Sequence, residues 1–139
     1  MIKITIYEFG LKKLSNEDLR SKTLYQFCIK NDIKIVFDIR NNTGNRYGGW
    51  DCNGKNLKWY LNQVGIEYKW FPDLGVPPKY RIDYETVKKY YNEIVIPTRQ
   101  KYINYILKYA KKYNICLICI ERNNKCHRFI LKKYLENKL

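Results

Sequence analysis

Four short apolar segments, separated by stretches with helical spacing, constrain the fold of this chain most. The segments cover residues 2–7, 33–39, 66–71 and 115–120. Helical patterns cover about 15–30, 55–64, 84–96, 98–113 and 125–139. Strands that alternate with helices usually form a parallel sheet with helices packed on it. We therefore predict a single α/β domain over residues 1–139, with a mostly parallel sheet of about four strands.

Local signals set the ends of several helices. Asp83 is expected to cap a helix that starts at Tyr84, and Gly65 to end the helix before it. Pro97 is expected to break the long helical stretch that follows Asp83. In the helix after that break, Tyr102, Ile106, Tyr109 and Tyr113 fall on one side. We predict that this side faces the core and does not stack on bases.

The charge balance of the chain points to an anionic partner. Its 27 basic and 13 acidic residues give a formal net charge of +14. Such a balance favours a polyanion, most simply nucleic acid, or a phosphorylated small molecule. A second explanation stays open. The chain is rich in Lys, Ile, Asn and Tyr, a bias that AT-rich coding sequence produces without any selection for binding.

Hydropathy and cysteine usage predict a cytoplasmic protein. No apolar run reaches the length of a membrane span, and the first ten residues lack the long apolar core of a signal peptide. The five cysteines are odd in number and irregularly spaced, which argues against a secreted disulfide framework. We therefore expect no membrane contact and reduced thiols.

Polar residues follow the second apolar segment. Asp38 and Arg40 are two positions apart on an extended segment, so that their side chains share a face. The carboxylate can orient the guanidinium toward a phosphate, or Asp38 can simply brace the following loop. That loop, at about 41–54, is rich in Gly and Asn. Within it Arg46 can bind phosphate and Tyr47 can stack on a base, although a plain flexible loop is equally consistent.

The last apolar segment runs into a second polar stretch, Cys119-Ile120-Glu121-Arg122-Asn123-Asn124-Lys125-Cys126-His127-Arg128. A helix is expected to begin near Cys126, where the helix dipole favours a thiolate. Cys126 is thus a candidate nucleophile, with His127, the only histidine, as acid or base. Glu121 is a second candidate catalytic group. Cys119 and Arg128 are candidate substrate or phosphate ligands.

The spacing of the possible metal ligands disfavours a metal site. Cys119, Cys126 and His127 are residue types that bind zinc. Adjacent Cys-His ligands are expected to strain one tetrahedral site, and no fourth ligand is evident nearby in the sequence. We therefore predict no metal and no cofactor.

These residues together resemble a known family. Asp38-x-Arg40, Arg46-Tyr47, Gly65-Ile66-x-Tyr68, Leu74-Gly75 and Cys119-x-Glu121-x4-Cys126-His127-Arg128 occur in the order seen in the prokaryotic "domain of unknown function 488". The resemblance covers nearly the whole chain and implies a compact α/β fold, without a settled activity. Relatives often have a Gly-His-Ser-like turn after the first strand, where this chain has Tyr7-Glu8-Phe9-Gly10.

The combined interpretation is an enzyme that acts on a nucleotide or nucleic acid. Cys126, His127, Glu121 and Asp38 are its predicted catalytic residues. The predicted substrate ligands, phosphate ligands among them, are Arg40, Arg46, Tyr47, Arg128 and Cys119. Two alternatives stay open: a basic nucleic-acid-binding protein without chemistry, and a polar network of purely structural value.

Overall fold

Four parallel strands form the sheet at the centre of the structure. The computed structural model describes residues 4–11, 20–44, 52–120 and 126–139, with the backbone alone at 20 and 21. The strands are β1 (Ile6–Gly10), β2 (Ile33–Asp38), β3 (Glu67–Trp70) and β4 (Asn114–Cys119). Their order across the sheet is β1-β4-β2-β3, and every neighbouring pair is parallel. The predicted α/β class and parallel sheet are therefore confirmed.

Six helices lie within the described ranges. They are α1 (Arg20–Lys30), α2 (Gly54–Gln63), α3 (Tyr84–Tyr90), α4 (Ile96–Thr98), α5 (Gln100–Ala110) and α6 (His127–Lys138). None of them is long and apolar enough to cross a membrane.

The sheet separates two hydrophobic cores, because successive strand residues point to opposite faces. Phe37 and Leu117 lie on the face that packs against α3, α5 and α6. Val36 and Cys116 lie on the other face, against α1 and α2. All four side chains are fully buried. A two-sided apolar sheet of this kind explains why β2 and β4 read as nearly continuous apolar runs.

Two predicted boundaries are wrong. The first strand begins at Ile6 and extends through Gly10, because its pairing with β4 continues as far as Cys119. Pro97 lies inside α4 and does not end the helical path, which is interrupted at Arg99. A π-helical turn at Tyr91–Val95 precedes it. We attribute the tolerance of Pro97 to this wider turn and to its place in the first turn of α4, where a missing N–H costs little.

Other local predictions are confirmed. The Asp83 carboxylate accepts a hydrogen bond from the Thr86 N–H, which caps α3. Gly65, just after α2, has φ of +76°, a left-handed conformation that favours glycine. Ile106 is fully buried, and Tyr102 and Tyr109 pack against the same core. The prediction is wrong for Tyr113, which is 41% exposed.

The carboxyl ends of the strands meet at one edge of the sheet and carry the chain beyond it. The Leu11 N–H donates to the Cys119 carbonyl at 2.7 Å, and the Ile39 N–H donates to the Ile118 carbonyl at 3.1 Å. The Phe71 N–H donates to the Asp38 carbonyl at 2.9 Å. These bonds hold the residues just past each strand in fixed positions. Sites in parallel sheets form at this edge.

Candidate active site

Two thiols and one imidazole meet where β4 ends and α6 begins. The Sγ atoms of Cys119 and Cys126 are 2.9 Å apart. His127 Nδ1 lies 3.8 Å from the first Sγ and 3.6 Å from the second. The side chains are only 3%, 3% and 6% exposed. We call Cys119, Cys126 and His127 the thiol–imidazole cluster.

A backbone hydrogen bond fixes the orientation of the His127 ring. Its Nε2 lies 2.7 Å from the Ile39 carbonyl oxygen, just beyond β2. Because a carbonyl only accepts, Nε2 carries the hydrogen, and Nδ1 faces the two sulfurs. The ring also contacts Tyr91, with ring centroids 5.4 Å apart. The position of the ring therefore depends on three parts of the chain: α6, the residue after β2 and the π-helical turn.

The environment affects the two thiols differently. Burial alone disfavours the Cys126 thiolate, but the Cys119 thiol and the Arg128 N–H and charge outweigh burial and lower the Cys126 pKa. Burial and the hydrogen bond to Cys126 raise the pKa of Cys119. Burial lowers the His127 pKa, yet the interaction with Cys119 outweighs it and leaves the pKa raised. Cys126 is thus the thiol of the pair that ionises first.

The adjacency of Cys126 and His127 does not separate their ligand atoms. One donor atom each from Cys119, Cys126 and His127 lies within 4.8 Å of the others. Adjacency in the sequence thus does not keep the N-cap residue Cys126 and the first helical residue His127 from presenting their ligand atoms to one point.

A cleft gives access to the cluster. Its volume is about 200 Å³, and it is lined by Val76, Arg81, Asp83, Tyr84, Val87, Cys119, Ile120, Cys126 and His127. Arg81 also borders a smaller space that reaches Arg40 and Asn42. Arg81 is exposed and brings a positive charge to the opening. Arg81 is not among the predicted site residues, because an arginine in a proline-containing loop carries no local pattern.

Asp38 and Arg40 form a buried ion pair at the same edge of the sheet. Arg40 Nε donates to Asp38 Oδ1 at 2.9 Å, and Nη2 donates to Oδ2 at 2.6 Å. The Tyr68 hydroxyl donates to Oδ2 at 2.5 Å. The two charged residues are 0% and 3% exposed. The predicted shared face is confirmed, and the carboxylate holds the guanidinium. Phosphate binding by Arg40 stays a prediction.

Arg128 is buried beside the first strand. It is 1% exposed, and its Nε lies 3.6 Å from Glu8 Oε1. Its guanidinium also lies over the Phe129 ring, 4.5 Å from the centroid. Glu8 therefore belongs to the surroundings of the site. In the sequence Glu8 is visible only as part of the stretch that departs from the usual turn of the family.

A basic groove lies at the β3 side of the same edge. It encloses about 390 Å³ and is lined by Thr43, Gly54, Lys55, Lys58, Tyr68, Lys69 and Trp70. Trp70 is 42% exposed, and its Nε1 donates to the Arg40 carbonyl at 2.8 Å. Gly54 and Lys55 lie in the first turn of α2, at the positive end of its helix dipole, which favours anions. We call this surface the lysine groove.

The cavity of about 450 Å³ lies at the opposite edge, away from the thiol–imidazole cluster. Lys34, Gly65 and Glu67 border it near the amino ends of β2 and β3. Tyr105, Tyr109, Tyr113, Lys108 and Lys112 complete its wall. It is larger than the cleft, but it holds neither a thiol nor an imidazole. We therefore place the candidate active site at the cleft.

Three predicted site residues lie outside the described residues: Arg46, Tyr47 and Glu121. The roles assigned to them stay predictions.

The fold and the cluster define a class: a parallel α/β protein with a buried Cys–Cys–His cluster at the carboxyl edge of its sheet. The chain belongs to the family described as "Domain of unknown function DUF488", whose model matches residues 20–135. The resemblance seen in the sequence is thus confirmed. No curated protein and no solved structure matches the chain significantly.

Proposed function

We propose that the protein is an enzyme that acts on nucleic acid or on a nucleotide, with its reaction centre at the thiol–imidazole cluster. One observation carries this proposal. The lysine groove and the cleft of the cluster lie at the same carboxyl edge of the sheet, and Arg40 is near both. It lines a small space that shares Cys119 and His127 with the cleft, and its carbonyl accepts the Nε1–H of Trp70 in the groove. In this proposal the phosphate-binding surface and the reaction centre would be neighbours.

The lysine groove supplies the means to hold a phosphate chain. Lys55, Lys58 and Lys69 are exposed, and their ammonium groups can neutralise phosphates. The half-exposed Trp70 indole offers a face on which a base can stack. Arg81 at the opening of the cleft is placed to bind the phosphate nearest the cluster. Together these groups would bind a nucleic-acid strand that extends from the groove toward the cleft.

The cluster supplies the chemistry in this proposal. The Cys126 thiol and the His127 imidazole are buried next to each other, and both line the cleft. Asp38 and Arg40 would act as a rigid support that positions the strand ends. The proposed reaction is cleavage of a phosphodiester or glycosidic bond. Arg46, Tyr47, Glu121 and Arg128 keep their predicted roles as proposals.

We propose the cytoplasm as the location. All five cysteines are buried and free, although Cys119 and Cys126 have sulfurs 2.9 Å apart. Free thiols so close together fit a reducing compartment.

Incubation with short DNA and RNA oligonucleotides, followed by mass spectrometry of the recovered strands, tests the activity. We expect a changed mass with the wild type and none with Cys126→Ser. Cys28→Ala is the matched control, because Cys28 is also fully buried but lies in the other core. Unchanged mass with every substrate, together with salt-sensitive binding, would favour the binding protein without chemistry. Full turnover by Cys126→Ser would contradict the assigned centre.

A further inference from the structure

We infer that the thiol–imidazole cluster is a zinc site: Cys119 Sγ, Cys126 Sγ and His127 Nδ1 bind one Zn²⁺, with the fourth coordination position facing the cleft. This inference rests on the proposed function only for the place of the reaction centre. It adds a chemical class of cofactor that the sequence analysis set aside.

Two of the three distances between the donor atoms fit a tetrahedral ion. Zinc–sulfur bonds of about 2.3 Å and zinc–nitrogen bonds of about 2.0–2.1 Å give ligand edges of about 3.8 Å and about 3.5 Å. The observed sulfur–nitrogen distances are 3.6 and 3.8 Å. The sulfur–sulfur distance of 2.9 Å is short of the expected edge. Small side-chain rotations that part the two sulfurs by about 0.9 Å complete the tetrahedron.

A hydrogen bond that would orient a zinc-bound His127 is already present. Metal-bound histidines usually donate their other N–H to a carbonyl or carboxylate, which fixes the ring and its tautomer. His127 Nε2 makes this bond to the Ile39 carbonyl at 2.7 Å. The Nδ1 lone pair is thereby directed at the two sulfurs without any bound ion. Two thiols and an imidazole also form a soft donor set, which selects zinc over magnesium or calcium.

Among the described residues, three supply ligand atoms to the site and all three line the cleft, as in catalytic zinc sites. Three protein ligands with a vacant fourth position distinguish catalytic sites from closed four-ligand structural sites. Among the described residues of the cleft wall, Asp83 is the only carboxylate, and its Oδ1 already accepts the Thr86 N–H. Because Cys119, Cys126 and His127 all line the cleft, the fourth position would face it, where water or a substrate oxygen has access. Zinc there would polarise a phosphate oxygen or activate water.

Titration of the chelator-treated, reduced chain with Co²⁺, followed by displacement with Zn²⁺, tests the inference. We expect one ion per chain and a sulfur-to-cobalt charge-transfer absorption that Zn²⁺ abolishes. Cys119→Ser, Cys126→Ser and His127→Gln should each weaken binding more than the roughly 100-fold lost when only the hydrogen-bond partner of a metal ligand is removed. Cys28→Ala is the control and should bind as the wild type does, since Cys28 lies in the other core.

A second readout needs no variant. Zn²⁺ should slow alkylation of Cys126 in the wild-type chain and raise its melting temperature, whereas Mg²⁺ should do neither. Absence of the charge-transfer band, or alkylation indifferent to Zn²⁺, would overturn the zinc site. The proposed function is separable from it. Oligonucleotide cleavage by metal-free protein would support the proposed function and contradict a zinc-dependent reaction centre. Tight zinc binding without any change in the mass of the oligonucleotides would support the zinc site and contradict the proposed function.

Discussion

Among single side chains, Asp38 and Arg40 show how a buried charge is stabilised at the edge of the sheet. Burial opposes the charge of Arg40, but the Asp38 carboxylate outweighs burial and raises the Arg40 pKa. The Tyr68 hydroxyl shares the same carboxylate oxygen as the guanidinium. The three side chains form one hydrogen-bonded unit, so that loss of one member leaves a buried charge or polar group poorly compensated.

Replacement of Asp38 by Asn should destabilise the fold strongly. It removes the negative charge beside the buried guanidinium, and breaking a buried pair in this way costs about 3–5 kcal/mol. Urea unfolding followed by circular dichroism measures the loss. Glu85→Gln is the control, because the Lys88–Glu85 pair is largely exposed and should contribute nothing measurable. An equally small loss for both variants would show that the charge of Arg40 is compensated without Asp38.

Tyr68→Phe should reveal a pH-dependent contribution. Burial and the Asp38 charge raise the Tyr68 pKa in the folded state. The protonated hydroxyl therefore stabilises the fold fully below the unfolded pKa of about 10, and this contribution decreases as pH rises above it. Unfolding free energies of wild type and variant, measured from pH 7 to 11, should differ by a constant amount and then converge. A difference that persists unchanged to pH 11 would contradict the shift.

The sequence predicted part of this unit and not the rest. The two-residue spacing of Asp38 and Arg40 was enough to place their side chains on one face. Tyr68 belongs to the family pattern, but nothing local ties it to Asp38. Their contact depends on the pairing of β2 with β3, in which Val36 lies opposite Tyr68. Spacing within one strand is visible in a sequence, whereas register between strands is not.

At the scale of elements, the 3₁₀ turn at Pro72–Leu74 brings the chain back against the end of β2. A Cβ at Gly75 would lie 2.3 Å from the Asn41 backbone nitrogen and 2.8 Å from the Arg40 carbonyl carbon. The close approach of these two backbone segments therefore requires glycine. It also brings Val76 to the cleft wall.

Gly75→Ala should cost more stability than Gly65→Ala. Gly65 has a left-handed φ but nothing within 4 Å of its Cβ position, so alanine there costs about 1–2 kcal/mol of backbone strain. At Gly75 the clash is with backbone, which cannot rotate away, and the two segments must separate. Chemical denaturation of both variants makes the comparison. Equal losses would mean that the loop shifts freely.

The elements were predicted more fully than their ends. Apolar segments bounded by turn residues predicted all four strands correctly. Asp83 and Gly65 predicted one helix start and one helix end correctly. Pro97 was misjudged, because the preceding π-helical turn depends on packing that the local sequence does not express. The contacts among Cys119, Cys126 and His127 were equally inaccessible. Their separation depends on how α6 is set against β4, a tertiary feature.

At the scale of the whole molecule, the two edges of the sheet differ in chemistry. The carboxyl edge carries the thiol–imidazole cluster, the buried ion pair and the lysine groove. The amino edge carries Lys34, Lys108 and Lys112 beside tyrosines. Because each edge holds three lysines in a concave wall, the net charge of +14 alone does not say where a polyanion binds.

Two triple variants of equal charge separate the edges. Replacement of the three lysines of the lysine groove, Lys55, Lys58 and Lys69, by Gln should weaken binding of a single-stranded oligonucleotide. The slope of log affinity against log salt should also decrease by about 2, because each lost phosphate contact contributes about 0.7. Replacement of Lys34, Lys108 and Lys112 by Gln removes the same charge from the amino edge and should leave the slope nearly unchanged. Fluorescence anisotropy over a salt series measures both.

If the second variant loses the slope and the first keeps it, the polyanion binds at the tyrosine-lined cavity, and the lysine groove has no part in substrate binding. Equal small losses in both would mean that the positive charge acts only as a diffuse field, because neither edge would then hold individual phosphates.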